Sequence, residues 1–163
     1  MRANIFSDMS VISNVVSLFI LAMAIFRPRI SRLLLCMLFT ATAVFSAVMV
    51  ITHPRVFLVF GDVTPVQMYE QFINGAFRHN IALIVLSLAV CQLLIGLLIA
   101  RSGKWLKAGL AGATLFMMAM IPLGAGSAFP STIFLTATCI ILLFKTGRLS
   151  RTPMLYPFQH LFN

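Results

Sequence analysis

The sequence predicts an all-α integral membrane protein, a bundle of five transmembrane helices with a short amphipathic helix on its outer side. Of 163 residues, 61% are hydrophobic and 9% are charged, whereas soluble domains have roughly 45–50% apolar and about 25% charged residues. The apolar residues form uncharged runs about as long as a bilayer crossing. The basic residues cluster at the ends of these runs. A single membrane domain, residues 1–163, is therefore predicted.

The first two apolar runs, residues 9–26 and 33–52, predict two crossings joined by a basic turn. The segment between them carries three arginines and is too charged for hydrocarbon. Ala22-Met23-Ala24 resembles a signal-peptide cleavage site, which leaves cleavage of the first run as an alternative. The positive charge of a signal peptide precedes its apolar stretch, but Arg27 and Arg29 follow this one. Retention of the first run is therefore the prediction.

The second half of the chain predicts three more crossings. Residues 81–100 form an uncharged run that ends at a second basic turn. Residues 108–144 carry no charge, and as one helix they would extend about 55 Å, too far for a single crossing. Pro122 and Pro130 frame a glycine-containing turn that reverses the chain. Crossings at about 108–123 and 129–144 follow, with residues 145–163 as a cytoplasmic tail.

The distribution of basic residues predicts the orientation. Five crossings place nine of the 12 Lys and Arg residues on one side. These nine are Arg27, Arg29, Arg32, Arg101, Lys104, Lys107, Lys145, Arg148 and Arg151, while Arg2, Arg55 and Arg78 lie opposite. Because cytoplasmic loops carry the excess of Lys and Arg, the N-terminus is predicted outside and the C-terminus in the cytoplasm. The expected location is a cell membrane, specifically a bacterial inner membrane.

The long connection 53–80 predicts an interfacial helix at about 65–77. Thr64, Pro65 and Gln67 match an N-cap, a first-turn proline and a capping-box glutamine. Apolar residues then recur at helical spacing. They are Val66, Tyr69, Phe72, Ile73, Ala76 and Phe77. An amphipathic helix of this kind is expected to lie flat at the membrane surface.

Three residues are candidates for a binding site. Gln92 is the strongly polar side chain in the middle of the third run, and it predicts either an interhelical hydrogen bond or a contact to a quinone head group. His53 and His79 bracket the long connection and could face each other as haem or metal ligands. Their neighbours Arg55 and Arg78 oppose cation binding, so boundary histidines without a metal are the preferred interpretation.

The sequence contains no catalytic Ser–His–Asp set, phosphate-binding glycine loop or HExxH motif. The predicted crossings contain no Asp, Glu, Lys or Arg, which disfavours a pump or transporter acting alone. Independent catalytic activity is therefore not expected, and a transporter component is the less favoured role.

The expected partners follow from composition and from one small-residue segment. The basic clusters lack an interleaved aromatic patch, so no nucleic acid is expected and the lipid bilayer is the main partner. Ala108, Gly109, Gly112 and Ala113 form small-xxx-small pairs that permit close helix contact. This contact could be internal, or it could join other membrane subunits or a second copy of the chain.

Residues 33–148 resemble the DoxX family of small membrane proteins. The most local likeness is the segment VCQLLIGLLIAR, residues 90–101, in which Gln92 stands where family members commonly have Glu. The first apolar run lies outside the family pattern. The resemblance implies an accessory, non-catalytic subunit of a membrane redox-linked system. The alternative is a binding protein for a lipophilic cofactor such as a quinone; no other cofactor is predicted.

Overall fold

The computed structural model describes residues 8–58, 71, 73–121 and 130–149. In this part of the chain the fold is all-helical, without strands. The α-helices are α1 (Asp8–Phe26), α2 (Pro28–Thr52), α3 (Ile81–Ala100), α4 (Lys104–Met120), α5 (Ser131–Phe144) and α6 (Thr146–Leu149). A 3-10 helix covers Pro54–Leu58 and a π-helix covers Ile73–Phe77. Among the described residues, α2 and α3 are long and apolar enough to span a membrane.

The turn between α1 and α2 is much shorter than predicted. A basic segment at 27–32 was expected, but α2 begins at Pro28 and only Arg27 separates the two helices. Proline is favourable in the first helical turn because the nitrogen there needs no hydrogen-bond acceptor. Arg29 and Arg32 consequently lie within the helix, and α2 extends five residues before the predicted start at 33.

Two other boundaries also differ from the predictions. The fourth helix begins at Lys104, before the expected start at residue 108, because Gly103 makes the turn with a φ of +73° that side-chain-bearing residues rarely adopt. The fifth begins at Ser131, and α6 lies in the segment predicted as a tail. The third helix coincides with the run 81–100.

The predicted interfacial helix can be compared with the structure only at its end. Ile73–Phe77 is π-helical rather than α-helical. Its predicted start at Thr64 and half of its apolar stripe, Val66, Tyr69 and Phe72, lie outside the described residues. The turn predicted at 122–129 and the tail beyond residue 149 also lie outside them.

The five long helices form a closed ring in the order α1, α2, α3, α4, α5. Each packs against its two neighbours, and the α2–α3 contact is the most extensive. With an odd number of helices one neighbouring pair must be parallel, and this pair is α1 and α5. Ser13 contacts Ser131 near the start of both helices, and Lys145 contacts Ala24 near the end of both.

The two ends of this ring differ in the residues that they carry. We call the end where α1, α3 and α5 finish the basic end. It carries Arg27, Arg29, Arg32, Arg101, Lys104, Lys107 and Lys145. At the opposite end α2 finishes at Thr52 and α3 starts at Ile81.

A large apolar core fills mainly the half of the ring next to the basic end. All five long helices contribute to it. Its buried residues are Ile20, Ala24, Leu35, Phe39, Ile95, Ile99, Leu106, Leu110, Ala113, Leu135, Cys139 and Leu142. A second cluster, Val50, Ile73, Phe77 and Val85, lies at the opposite end between α2, the π-helix and α3.

Candidate functional site

Gln92 lies on the face of α3 that packs against α2. Ala89, Gln92 and Gly96 share this face because they are separated by three and four residues, and Ala89 and Gly96 are buried. Small residues let the helices approach closely here: a methyl group added at Gly96 would lie 3.0 Å from Oγ1 of Thr40. The Cys36 thiol also donates to the Gly96 carbonyl oxygen over 3.3 Å.

The amide oxygen of Gln92 is buried and accepts no hydrogen bond within the described residues. The interhelical hydrogen bond predicted for Gln92 is therefore not formed by this atom. An acceptor buried without a partner costs about 1–3 kcal/mol. Its natural partner is a hydroxyl or N–H donor, whereas a quinone carbonyl would require the amide NH2 to donate. A 180° rotation of the amide exchanges the two groups, so the site suits the hydroxyl of a quinol or the carbonyl of a quinone.

The two histidines lie at the opposite end of the ring, apart from Gln92. His53 follows the last residue of α2 and is exposed, in a shallow depression with Pro54 and Arg55. His79 is also exposed, and its Nδ1 lies 3.0 Å from the Gly75 carbonyl oxygen. Gln92 is 13 residues after His79, roughly 20 Å along the helix axis. The described contacts do not join these three side chains into one site.

Arg32 was expected in a solvated turn, but it is buried in the described structure. Arg32 is 2% exposed. Its Nε donates to the Ile99 carbonyl at 2.8 Å, and its Nη2 donates to the carbonyls of Ala100 at 2.8 Å and Arg101 at 2.6 Å. Arg32 thereby satisfies carbonyls that the end of α3 leaves without a partner, and it places a positive charge at the negative pole of that helix.

Lys145 likewise caps the C-terminal end of α1. Its Nζ donates to the carbonyl oxygens of Ala24 at 3.1 Å and Ile25 at 2.8 Å. Both caps have a signal in the sequence. Arg32 continues the buried stripe of Leu35 and Phe39, and Lys145 continues that of Leu142, at helical spacings of three to four residues.

A seam of small polar residues between α1 and α5 was not predicted. The Ser13 hydroxyl donates to the Ser131 hydroxyl over 3.1 Å. Ser17 and Thr138 are buried, but each bonds a carbonyl of its own helix, at Asn14 and Phe134. Of these three hydroxyl donors, only Ser13 bonds across to the other helix. The Oδ1 of Asn14 in α1 is buried and accepts no hydrogen bond among the described residues.

The predicted small-residue surface of α4 packs inside the bundle. A methyl group added at Gly109 would lie 2.7 Å from the backbone nitrogen of Ile99, and one at Gly112 would lie 3.5 Å from the Ile95 side chain. These glycines therefore let α4 pack against α3. Ala108 is exposed, and the contact with a partner or second copy through this surface stays a prediction.

The chemistry available in this arrangement is hydrogen bonding. Among the described residues, no group of three or more His, Cys, Asp or Glu side chains could hold a metal ion. No family model, curated protein or solved structure matches the chain. The resemblance to the DoxX family, including the correspondence of Gln92 to a family Glu, therefore stays a prediction.

Proposed function

We propose that the chain is an integral membrane protein in which α1 to α5 each cross the bilayer. The observation that carries this proposal is the exposure of strongly apolar helices. The core helix of a soluble protein is mostly buried, but only 22% of the most apolar window of α2 is buried, and the share for α3 is also 22%. Such a surface is unfavourable in water and favourable in hydrocarbon.

The other three helices of the ring also carry large apolar side chains that are exposed. They include Ile12, Phe19 and Phe26 in α1, Leu115 and Met118 in α4, and Ile133, Ile140 and Phe144 in α5. The 14 residues of α5 extend about 21 Å, against a hydrocarbon thickness of about 30 Å. Its crossing therefore requires residues beyond its ends or local thinning of the bilayer.

The basic end then faces the cytoplasm, with the N-terminus outside. Accessibility tags test this arrangement. Tags at residue 1 and within 53–80 should react from outside, and tags within 101–107 or at the C-terminus should react only after the membrane is permeabilised. A cytoplasmic N-terminus would contradict the five-crossing arrangement.

Within the membrane, the role supported best is that of a non-catalytic accessory subunit that binds another membrane helix along α2. An apolar groove with a volume of about 700 Å³ runs along this helix. It is lined by Cys36, Met37, Thr40, Ala41, Val44, Phe45 and Val48. Small residues within it allow close approach of a partner backbone.

Site-specific photocrosslinking tests the accessory role. A photoreactive residue at Val44 should give one discrete polypeptide product in cells, because Val44 lines the groove. The matched control is the same residue at Leu115, which is exposed on α4 and should give mainly lipid adducts. Equal lipid labelling at both positions would remove the proposed partner.

A second candidate function, binding of a quinone or quinol, is supported by Oε1 of Gln92, which is buried and has no hydrogen-bond partner among the described residues. Purification in mild detergent separates the two roles. A stoichiometric quinone that is lost in Gln92→Leu supports the cofactor role, whereas a stoichiometric polypeptide without a chromophore supports the accessory role. A redox-linked system and a bacterial inner membrane remain proposals that rest on the DoxX resemblance alone.

A further inference from the structure

A groove of about 300 Å³ opens at the basic end, where α3 turns into α4. Leu94, Leu97 and Leu98 form its apolar floor along α3, and Arg101 and Trp105 close it at the turn. Leu94 and Leu97 are more than half exposed. The groove is thus an apolar track that ends at a cation and an aromatic ring.

The positive charge of this groove favours an anionic ligand. Within the described residues, the Arg101 guanidinium has no ion-pair or hydrogen-bond partner, although the Arg101 carbonyl is held by Arg32. Lys104 is exposed beside it. No acidic residue follows Glu70 in the sequence, so no later side chain can neutralise this cluster. A guanidinium binds a phosphodiester through two parallel hydrogen bonds.

The form of the groove selects a lipid rather than free phosphate. Its leucines run along the helix for a little more than one turn, which an acyl chain can follow, and they would contribute nothing to binding of inorganic phosphate. Trp105 is 61% exposed, and tryptophan is enriched where head groups meet hydrocarbon. The groove therefore fits both the head group and the acyl chain of a phospholipid.

We propose that this groove binds an anionic phospholipid, with the phosphodiester at Arg101 and an acyl chain along Leu94, Leu97 and Leu98. The proposal rests on the membrane placement of the proposed function. It is independent of the α2 groove and of Gln92. It adds a specific lipid to a surface that would otherwise contact bulk lipid only.

The fluorescence of Trp105 can report contact with lipid at the groove, because Trp105 is the one tryptophan in the chain. The full chain is reconstituted in phosphatidylcholine vesicles in which either phosphatidylcholine or phosphatidylglycerol carries brominated acyl chains, which quench tryptophan fluorescence on contact. Brominated phosphatidylglycerol should quench Trp105 at mole fractions at which brominated phosphatidylcholine has little effect. Added inorganic phosphate should not reverse that difference.

Matched variants test whether the preference for the anionic lipid depends on Arg101. Arg101→Gln should reduce the preference for the anionic lipid roughly fivefold, and Arg101→Lys should retain most of it. Arg27→Gln removes the same charge at the same end, away from the groove, and should change the preference less than twofold. Circular dichroism checks that each variant keeps its helices.

The possible failures are distinguishable. Equal quenching by the two lipids, or an equal loss in Arg101→Gln and Arg27→Gln, would overturn the lipid site and leave the membrane placement intact. Reversal by inorganic phosphate would show that the groove takes a free anion instead, which also overturns the proposal. Absence of quenching by either lipid would overturn the membrane placement itself.

Discussion

The basic end and the opposite end of the bundle are held together by different means. At the basic end, five helices share one core, and Arg32 and Lys145 cap the ends of two helices. At the opposite end, the described apolar cluster involves α2, the two short helices and α3, and His53 and His79 are exposed. We infer that the contacts described at the basic end contribute more to the stability of the fold than the contacts described at the opposite end.

This difference follows from the helix directions. Three helices finish at the basic end, and their final carbonyl groups concentrate partial negative charge there. Arg32 and Lys145, which bind such carbonyls, are therefore favourable at that end for a reason independent of membrane orientation. The positive-inside pattern and the capping pattern coincide in this chain, and only variants of individual residues can separate them.

Arg32→Met should have the largest effect on stability. Methionine retains the length of the side chain but leaves the carbonyls of Ile99, Ala100 and Arg101 without their donor, which should lower the free energy of unfolding by about 3 kcal/mol. Thermal unfolding in mild detergent measures the loss. Arg29→Met, at an exposed position one turn earlier, should change stability by less than about 0.5 kcal/mol. Equal effects of the two substitutions would contradict a dominant role of the cap.

Gly109→Ala should have the next largest effect. The new methyl group would lie 2.7 Å from the backbone nitrogen of Ile99, and separating α4 from α3 should cost about 2 kcal/mol. Gly112→Ala is the matched control, because its nearest contact would be an ordinary 3.5 Å and alanine favours the helix. A greater loss in Gly112→Ala than in Gly109→Ala would refute the described α3–α4 contact.

Gln92→Leu should increase stability slightly in protein purified without a ligand. Leucine removes a buried acceptor that has no partner in the described part of the chain, a gain on the order of 1 kcal/mol. The interhelical hydrogen bond expected from the sequence would give the opposite sign, so the sign of the change in melting temperature is the decisive result. If a quinone or quinol copurifies, the same substitution should release it. Gln92→Glu should be tolerated with its carboxyl protonated.

Phe77→Ser should have the smallest effect on overall stability and a clear local effect. Phe77 packs in the small cluster at the opposite end with Ile73, so its loss should loosen the π-helix and leave the five-helix core intact. A cysteine at the exposed Gly75 reports this motion, and we expect its labelling by a water-soluble maleimide to become several times faster. A large drop in melting temperature instead would contradict the smaller contribution inferred for the opposite end.

Hydropathy and the residues that typically begin or end helices allowed much of the helical layout to be predicted. Uncharged runs locate the helices because a long apolar segment has few other stable structures, and α3 coincides with its predicted range. The predicted start of α2 is wrong because charge alone does not mark a turn. A charged residue within a helix is tolerated when other backbone groups bind it, as the carbonyls at the end of α3 bind Arg32.

The candidate site could be predicted only in part. Gln92 was identifiable because it is a polar residue within an apolar run, and such a group should face the bundle. The sequence could not predict that its amide oxygen has no partner within the described ranges, because hydrogen-bond satisfaction depends on the groups that α2 brings near α3. The sequence gives no comparable signal for Asn14. It is polar in a run that also contains serines, and only packing decides which of these side chains finds a partner.

The sequence by itself determined the number of helical runs, the clustering of basic residues at their ends and the small residues at which helices can approach closely. These properties are local, since they depend on residue type and spacing along the chain. The tertiary structure decided that the helices close into a ring with α1 parallel to α5, that Arg32 and Lys145 cap helices distant in sequence, and that the glycines of α4 serve an internal contact. These properties are set by which helices become neighbours, because caps and close contacts require atoms from two helices at one place.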